Sequence, residues 1–173
     1  INVLINNAAI LSEHDLANTD EDDMAAMRRD ILVNFLAPIE LVHALMPVLK
    51  QQAYAAVVNV NSPAGVLTVA PVPIYSATKA GLLSYSKSLR YHLKATAIAV
   101  FDVFPPEVET PMTNRYSRQK MPVTQFVDQL LQGLEAGKSE IWVGQAKFIR
   151  YIQRIAPYWL FNTINNSMKI VGR

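Results

Sequence analysis

Ala56-Val57-Val58-Asn59-Val60 is a short run, mostly apolar and β-branched, that stops at Asn61-Ser62. Such a run, with no polar–apolar alternation, reads as a strand buried on both faces. Working outward, 61–73 carries Pro63, Gly65, Pro71 and Pro73 and reads as a loop. Ile74 to Lys94 holds no proline and one glycine. Leu82, Leu89 and Leu93 recur there at helical spacing, with Lys87, Arg90 and Lys94 on another side, which predicts a helix. Ala97 to Phe104 (Ala-Ile-Ala-Val-Phe-Asp-Val-Phe) predicts the next strand, stopped by Pro105-Pro106. A helix near Val123 to Gly133 and a short strand near Ile141 to Val143 follow.

Upstream, Ile1 to Ile5 predicts a first buried strand, ended by Asn6-Asn7. Thr19 to Asp23 reads as a helix start, with Thr19 as the cap and the carboxylates at the positive end of the helix dipole. A solvated helix end is favoured over a metal site for that acidic cluster, since metal-ligand spacing is missing; no metal is expected. The helical pattern runs to about Lys50, and Pro38 and Pro47 predict a kink or a break. Strands and helices alternate throughout. The expected fold is therefore α/β, a parallel sheet with flanking helices, in a single domain 1–173.

Composition bounds the function. The chain has 173 residues, 51% hydrophobic and 17% charged, enough to bury a core and too apolar for disorder. Sixteen Lys and Arg against 14 Asp and Glu leave a net charge of +2, which makes no electrostatic case for nucleic acid. The absence of cysteine excludes disulfides, thiolate metal sites and cysteine nucleophiles. It is compatible with a reducing compartment, and a cytoplasmic protein is expected. No uncharged apolar run of about 18 residues exists, so no membrane span is expected. The chain opens at Ile1 inside a strand-like run, with no signal-peptide pattern, and reads as one that begins mid-domain.

Ligands in parallel sheets bind outside the carboxyl ends of the strands, and the chemically able residues fall there. Tyr75 and Lys79, four apart on a helix, share one face. A phenol titrates near 10, and a nearby ammonium favours its phenolate and brings it towards service as a base. Chance spacing explains the pair equally well when it is taken alone. Ser62, thirteen residues before Tyr75, has a hydroxyl suited to bonding the oxygen that Tyr75 would protonate; the alternative is a turn serine bonded to its own backbone. Asn34 sits among apolar helix neighbours, where a buried amide must be satisfied. It would hold a water and pass protons from Lys79, or else bond one turn back. Asn6-Asn7-Ala8-Ala9 and Pro105 to Thr110 follow the first and third strands, where backbone can approach a ligand.

Taken together, Leu4-Ile5-Asn6-Asn7-Ala8, Val33-Asn34, Val58-Asn59-Val60-Asn61-Ser62 and Tyr75-Ser76-Ala77-Thr78-Lys79-Ala80 resemble the short-chain dehydrogenase/reductase family, from Ile1 to about Met112. The resemblance implies a Rossmann-like sheet, NAD or NADP, and hydride transfer to or from a small-molecule carbonyl or alcohol. It implies Tyr75 as general acid/base, Ser62 orienting the substrate oxygen, and Lys79 lowering the Tyr75 pKa and bonding the nicotinamide ribose. Asn34 would complete a proton relay. Asn6, Ala8 and Pro105 would border the cofactor, with Val108 and Thr110 near its carboxamide and pyrophosphate.

Four departures from the family pattern stand out. Ala9 and Asn61 replace a usual glycine and a frequent serine, and Pro105-Pro106 replaces Pro-Gly. The Pro-Pro form resembles a bacterial subgroup of DltE-type oxidoreductases. The fourth departure is that the family's opening strand–helix units, with their Gly-rich pyrophosphate turn, are missing here; Ile1 matches the fourth strand. Half a sheet would expose the edge and face of its first strand.

Other residues have plainer readings. His14, His43 and His92 show no ligand spacing and are expected on the surface or in helix packing; Trp142 and Trp159 are expected to pack. Residues 145–173 read as a helical tail or substrate-side segment. Its Lys147, Arg150, Arg154, Lys169 and Arg173 face no Asp or Glu, and aromatic residues interleave with them. Such a helix can lie on an anionic membrane surface, but folding over the substrate cleft or into an oligomer contact is the favoured expectation. By the same resemblance, the helices at 33–49 and 75–94 imply a homodimer. The alternative to an enzyme is a non-catalytic binding or dimerising module.

Overall fold

The computed structural model describes residues 1–114 and 119–168. Its sheet has four strands, β1 (Val3–Asn6), β2 (Ala55–Val60), β3 (Ile98–Phe104) and β4 (Glu140–Trp142). They are parallel and lie in the order β1-β2-β3-β4. The helices are α1 (Glu21–Ile31), α2 (Ala37–Leu49), α3 (Pro73–Leu93), α4 (Val123–Glu135), α5 (Ala146–Ile155) and α6 (Pro157–Asn166). The fold is Rossmann-like, as expected. Tail residues Lys169 and Arg173 lie outside the described residues.

The period of two along the strands sorts side chains between two layers. Leu4, Val57 and Val100 meet Val42 and Leu49 of α2 and Leu89 and Leu93 of α3. Val58, Val103 and Ile141, on the other face, meet Phe126, Leu130 and Leu134 of α4. The sheet steps one way while α4 crosses on the face opposite α2 and α3. The β3–α4–β4 connection therefore has the opposite hand to the two before it, against the usual uniform hand of such crossovers. Gly133 makes the α4 contact close: a Cβ there would lie 2.6 Å from the Ile141 side chain. Beyond α4 the face is open at β1, where Val3 is 46% and Ile5 55% exposed.

Two local expectations change. Asp20, not Thr19, caps α1. Its carboxylate accepts from the Asp23 amide at 2.9 Å, and Asp23 returns the bond to the Asp20 amide at 3.2 Å. A carboxylate can make this reciprocal box and also meet the dipole's positive end, so it wins over a hydroxyl. The kink near Pro38 is a π turn, Leu32–Leu36, where the Ala37 amide donates to the Leu32 carbonyl five residues back. Proline has no amide to give the Asn34 carbonyl, and the wider turn removes that demand. Pro47 lies inside α2 without ending it. The continuous helical stretch Glu21–Leu49 is long and apolar enough, by length and composition, to cross a membrane; here its Val42 and Leu49 are packed on the sheet.

Candidate active site

The carboxyl ends of β1, β2 and β3 and the first turns of α3 converge on one region. Pro73 opens α3 at a position where its missing amide costs nothing. Tyr75 and Lys79 follow on successive turns, and both are buried. The Lys79 ammonium lies 5.7 Å from the Tyr75 ring centre and donates to the Val60 carbonyl at 2.7 Å. Burial lowers its pKa to about 8. One acceptor at the end of β2 thus fixes the cation beside the phenol and leaves two of its N–H donors for other partners.

Ser62 caps the short helical turn Pro63–Gly65, its hydroxyl accepting from the Ala64 amide at 3.1 Å. This is the turn bond weighed as the alternative, and it leaves the hydroxyl proton free to be donated. Gly65 lets that turn close on α3: a Cβ there would sit 2.8 Å from the Lys79 backbone carbon. The glycine thereby sets the distance between the serine loop and the Tyr75–Lys79 helix.

Asn34 is fully buried in the π turn. It does not bond one turn back. Its oxygen accepts from the Ile10 amide at 2.9 Å and its nitrogen donates to the Ile10 carbonyl at 2.8 Å. The amide thus clamps the loop that follows β1. Phe35 beside it lies against Gly81 of α3, whose Cβ position is 3.0 Å from the ring, so the clamp and the Lys79 helix are docked together.

Asn6 turns its side chain into the sheet rather than outward. It donates to Asn59 at 2.8 Å, and Asn59 donates to Ser86 at 2.8 Å. Asn6, Asn59 and Asp102 are neighbours in register across β1, β2 and β3, so a row of polar side chains crosses the core under α3. Asp102 ends it, held by Ser86, by Asn61 at 2.8 Å and by Arg90 at 2.8 Å. Burial raises the Asp102 pKa against those three partners. Asn61, the departure beside Ser62, is thereby explained: it ties the start of the serine loop to β3.

Ala8 is exposed at the end of the β1 loop. Ala9 needs no left-handed backbone, as no non-glycine residue among those described has positive φ. Pro105, Val108 and Thr110 lie after β3, and that segment is stitched to Met121: the Glu109 amide donates to the Met121 carbonyl and the Met121 amide to Glu107. The Thr113 hydroxyl donates to the Val108 carbonyl.

Sequence reasoning missed the residues that hold the loop before α3. Ser76 accepts from the Val69 amide, the His14 amide donates to the Pro71 carbonyl, and Asn165 of α6 accepts from the Ala70 amide at 2.6 Å. His14 is buried, its ring nitrogens 3.7 Å from Asp30 and 3.9 Å from Asp23. His43 and His92 are exposed. Trp142 packs, stacked on Phe104 at 3.8 Å. Trp159 does not: it is 60% exposed. No local pattern could have paired Asn165 with a loop 95 residues away.

A parallel sheet with a buried tyrosine–lysine pair at its carboxyl end defines a Rossmann-like protein with a phenol and an ammonium at the edge where such sheets bind ligands. Residues 1–121 match the family model for short chain dehydrogenase, and the chain belongs to that family. It is 36% identical to the uncharacterized oxidoreductase DltE of Bacillus subtilis, over 96% of this chain and 68% of that one. It is also 36% identical to the ketoacyl reductase HetN of a Nostoc species, over 65% of this chain but 39% of that protein. Among solved structures, a short chain dehydrogenase of Burkholderia cenocepacia in complex with NADP superposes with a TM-score of 0.86 at 26% identity, over 95% of this chain and 68% of that one.

Proposed function

We propose that the protein transfers a hydride between NAD or NADP and a carbonyl or alcohol substrate, with Tyr75 as the general acid/base. The observation that carries this reading is the buried Tyr75–Lys79 pair, its cation fixed by the Val60 carbonyl at the carboxyl end of the sheet. The NADP bound in the Burkholderia relative supports a nicotinamide cofactor. The chemistry of the residues fits one: two N–H donors of Lys79 remain for ribose hydroxyls. Asn6, Ala8, Pro105, Val108 and Thr110 would line the bound group, which supplies the hydride acceptor or donor. In the oxidation direction the Tyr75 phenolate takes the substrate hydroxyl proton, stabilised by the Lys79 ammonium. In reduction the phenol returns it. Ser62 donates to the substrate oxygen, and Asn34, clamped on the Ile10 backbone, would complete the proton relay from Lys79 through the N–H and lone pair that the clamp leaves.

In the complete protein, Tyr75→Phe should cut turnover of a carbonyl panel with NADH or NADPH by about 1,000-fold while the melting curve stays in place. Undiminished turnover would remove Tyr75 from the role. The reading includes a cytoplasmic setting and a homodimer. The dimer is supported by the open apolar groove of Ile39, Val42, Met46, Tyr85 and Leu89 between α2 and α3, which a second copy would cover with the same groove. A monomeric mass by light scattering would exclude it.

A further inference from the structure

Helices α5 and α6 turn one side to the protein and leave the other bare. Inward, Ala146 joins Leu83, Phe104 and Trp142 in the core, Arg150 meets Glu140 at 3.4 Å, Leu160 is buried, and Asn165 holds α6 against the loop at 68–70. The contact with that loop is thus made by one face alone. Outward, Phe148, Tyr151 and Ile155 follow one another at positions i, i+3 and i+7, so they form one stripe of α5. Tyr158 and Trp159 are exposed in the first turn of α6, just after it, and Ile155 and Tyr158 are 85% and 86% exposed. Two large aromatics and an isoleucine on two turns, left in water, are not what packing alone would select.

The charges that α5 and α6 themselves carry are of one sign. Lys147 and Arg154 are exposed on α5, with Arg150 already engaged by Glu140. No Asp or Glu occurs between Ile141 and Arg173. A face of Phe, Tyr, Trp and Ile beside Lys147 and Arg154, on two helices that carry no carboxylate, complements an anionic lipid surface, where apolar rings enter the headgroup boundary and ammonium and guanidinium groups meet phosphates. A second copy of the same face would bring these cations together, which disfavours self-association there.

We propose that the α5–α6 face docks the protein on an anionic bilayer surface, with Phe148, Tyr151, Ile155, Tyr158 and Trp159 entering the interface and Lys147 and Arg154 at the headgroups. Since α6 also holds the loop at 68–70, which lies between Ser62 and Tyr75, the docked face would stand next to the proposed site, and a substrate dissolved in the bilayer would meet it from there.

The test is flotation of the complete protein with vesicles of phosphatidylcholine plus phosphatidylglycerol, and with vesicles of phosphatidylcholine alone. The protein should float with the first and stay behind with the second. Lys147→Glu with Arg154→Glu should weaken that binding by about thirtyfold. Phe148→Ser with Ile155→Ser and Trp159→Ser should abolish it, with the melting temperature held; if this variant does not fold, the charge reversal at two exposed positions still decides. No flotation with the anionic vesicles overturns the proposal, as does equal flotation with both compositions. It is also overturned if the serine variant turns a dimer into a monomer while the parent ignores vesicles, which would assign the face to a second copy.

Discussion

The two faces of the sheet are built on different principles. Under α3 the strands add to Leu4, Val57 and Val100 a register row of Asn6, Asn59 and Asp102, bonded to one another or to Ser86, Asn61 and Arg90. Under α4 they present Val58, Val103 and Ile141. An apolar face tolerates small slips because dispersion and burial are not directional. A buried hydrogen-bonded row does not, since each broken partner leaves a desolvated polar group. The polar row lies under the helix that carries Tyr75 and Lys79, and its Asn61 end adjoins Ser62. Directional bonding is therefore concentrated beneath the helix that carries Tyr75 and Lys79, where the proposed proton transfer would need fixed geometry.

The sharpest way to break this contrast is at Arg90. Arg90→Met should destabilise the fold by about 4 kcal/mol, because Asp102 is left buried and unpaired. Burial already raises the Asp102 pKa, and the loss of Arg90 raises it further. A group with a raised folded pKa loses stability as pH rises through that value. The deficit should thus be full at neutral pH and shrink in acid, as urea melts at several pH values would show. A deficit independent of pH would mean that the charge pair is not its source.

Lys79 gives the next largest effect. Its pKa is lowered from 10.5 to about 8, so the unfolded state binds the extra proton and stability rises with pH between those values. Below about pH 8 the buried ammonium costs about 3 kcal/mol. Lys79→Met should therefore raise the melting temperature relative to the parent most at pH 7 and progressively less towards pH 10. An advantage unchanged over that range would contradict the burial cost.

The apolar face should respond more weakly, and without any pH dependence. Gly133→Ala forces a Cβ against Ile141 and should cost about 2 kcal/mol. Ile141→Val alone should cost about 1 kcal/mol. Combined, the two should cost close to their sum, because valine keeps the two γ carbons that would lie 2.6 and 2.9 Å from the new Cβ. None of these should change turnover. A loss of activity from Ile141→Val would show that the α4 face also takes part in setting the site.

Much of this was legible along the chain. The apolar runs before Asn6, Ser62 and Pro105 announce parallel strands, and their ends announce the ligand edge, because strand burial and strand ends are local properties of composition. The four-residue spacing of Tyr75 and Lys79 places them on one helix face for the same reason. What the sequence determined by itself was therefore the element order, the parallel sheet and the candidate chemistry. Only the tertiary structure decided that Asn34 clamps Ile10, that Asn6, Asn59 and Asp102 form one row, that Gly65 sets the serine loop on α3, and that the stripe of α5 and α6 faces outward. Each of these depends on which distant segment a side chain meets. Such meetings follow from strand register, crossover hand and helix docking, which are settled by the packing of the whole molecule and leave no periodic trace in any one segment.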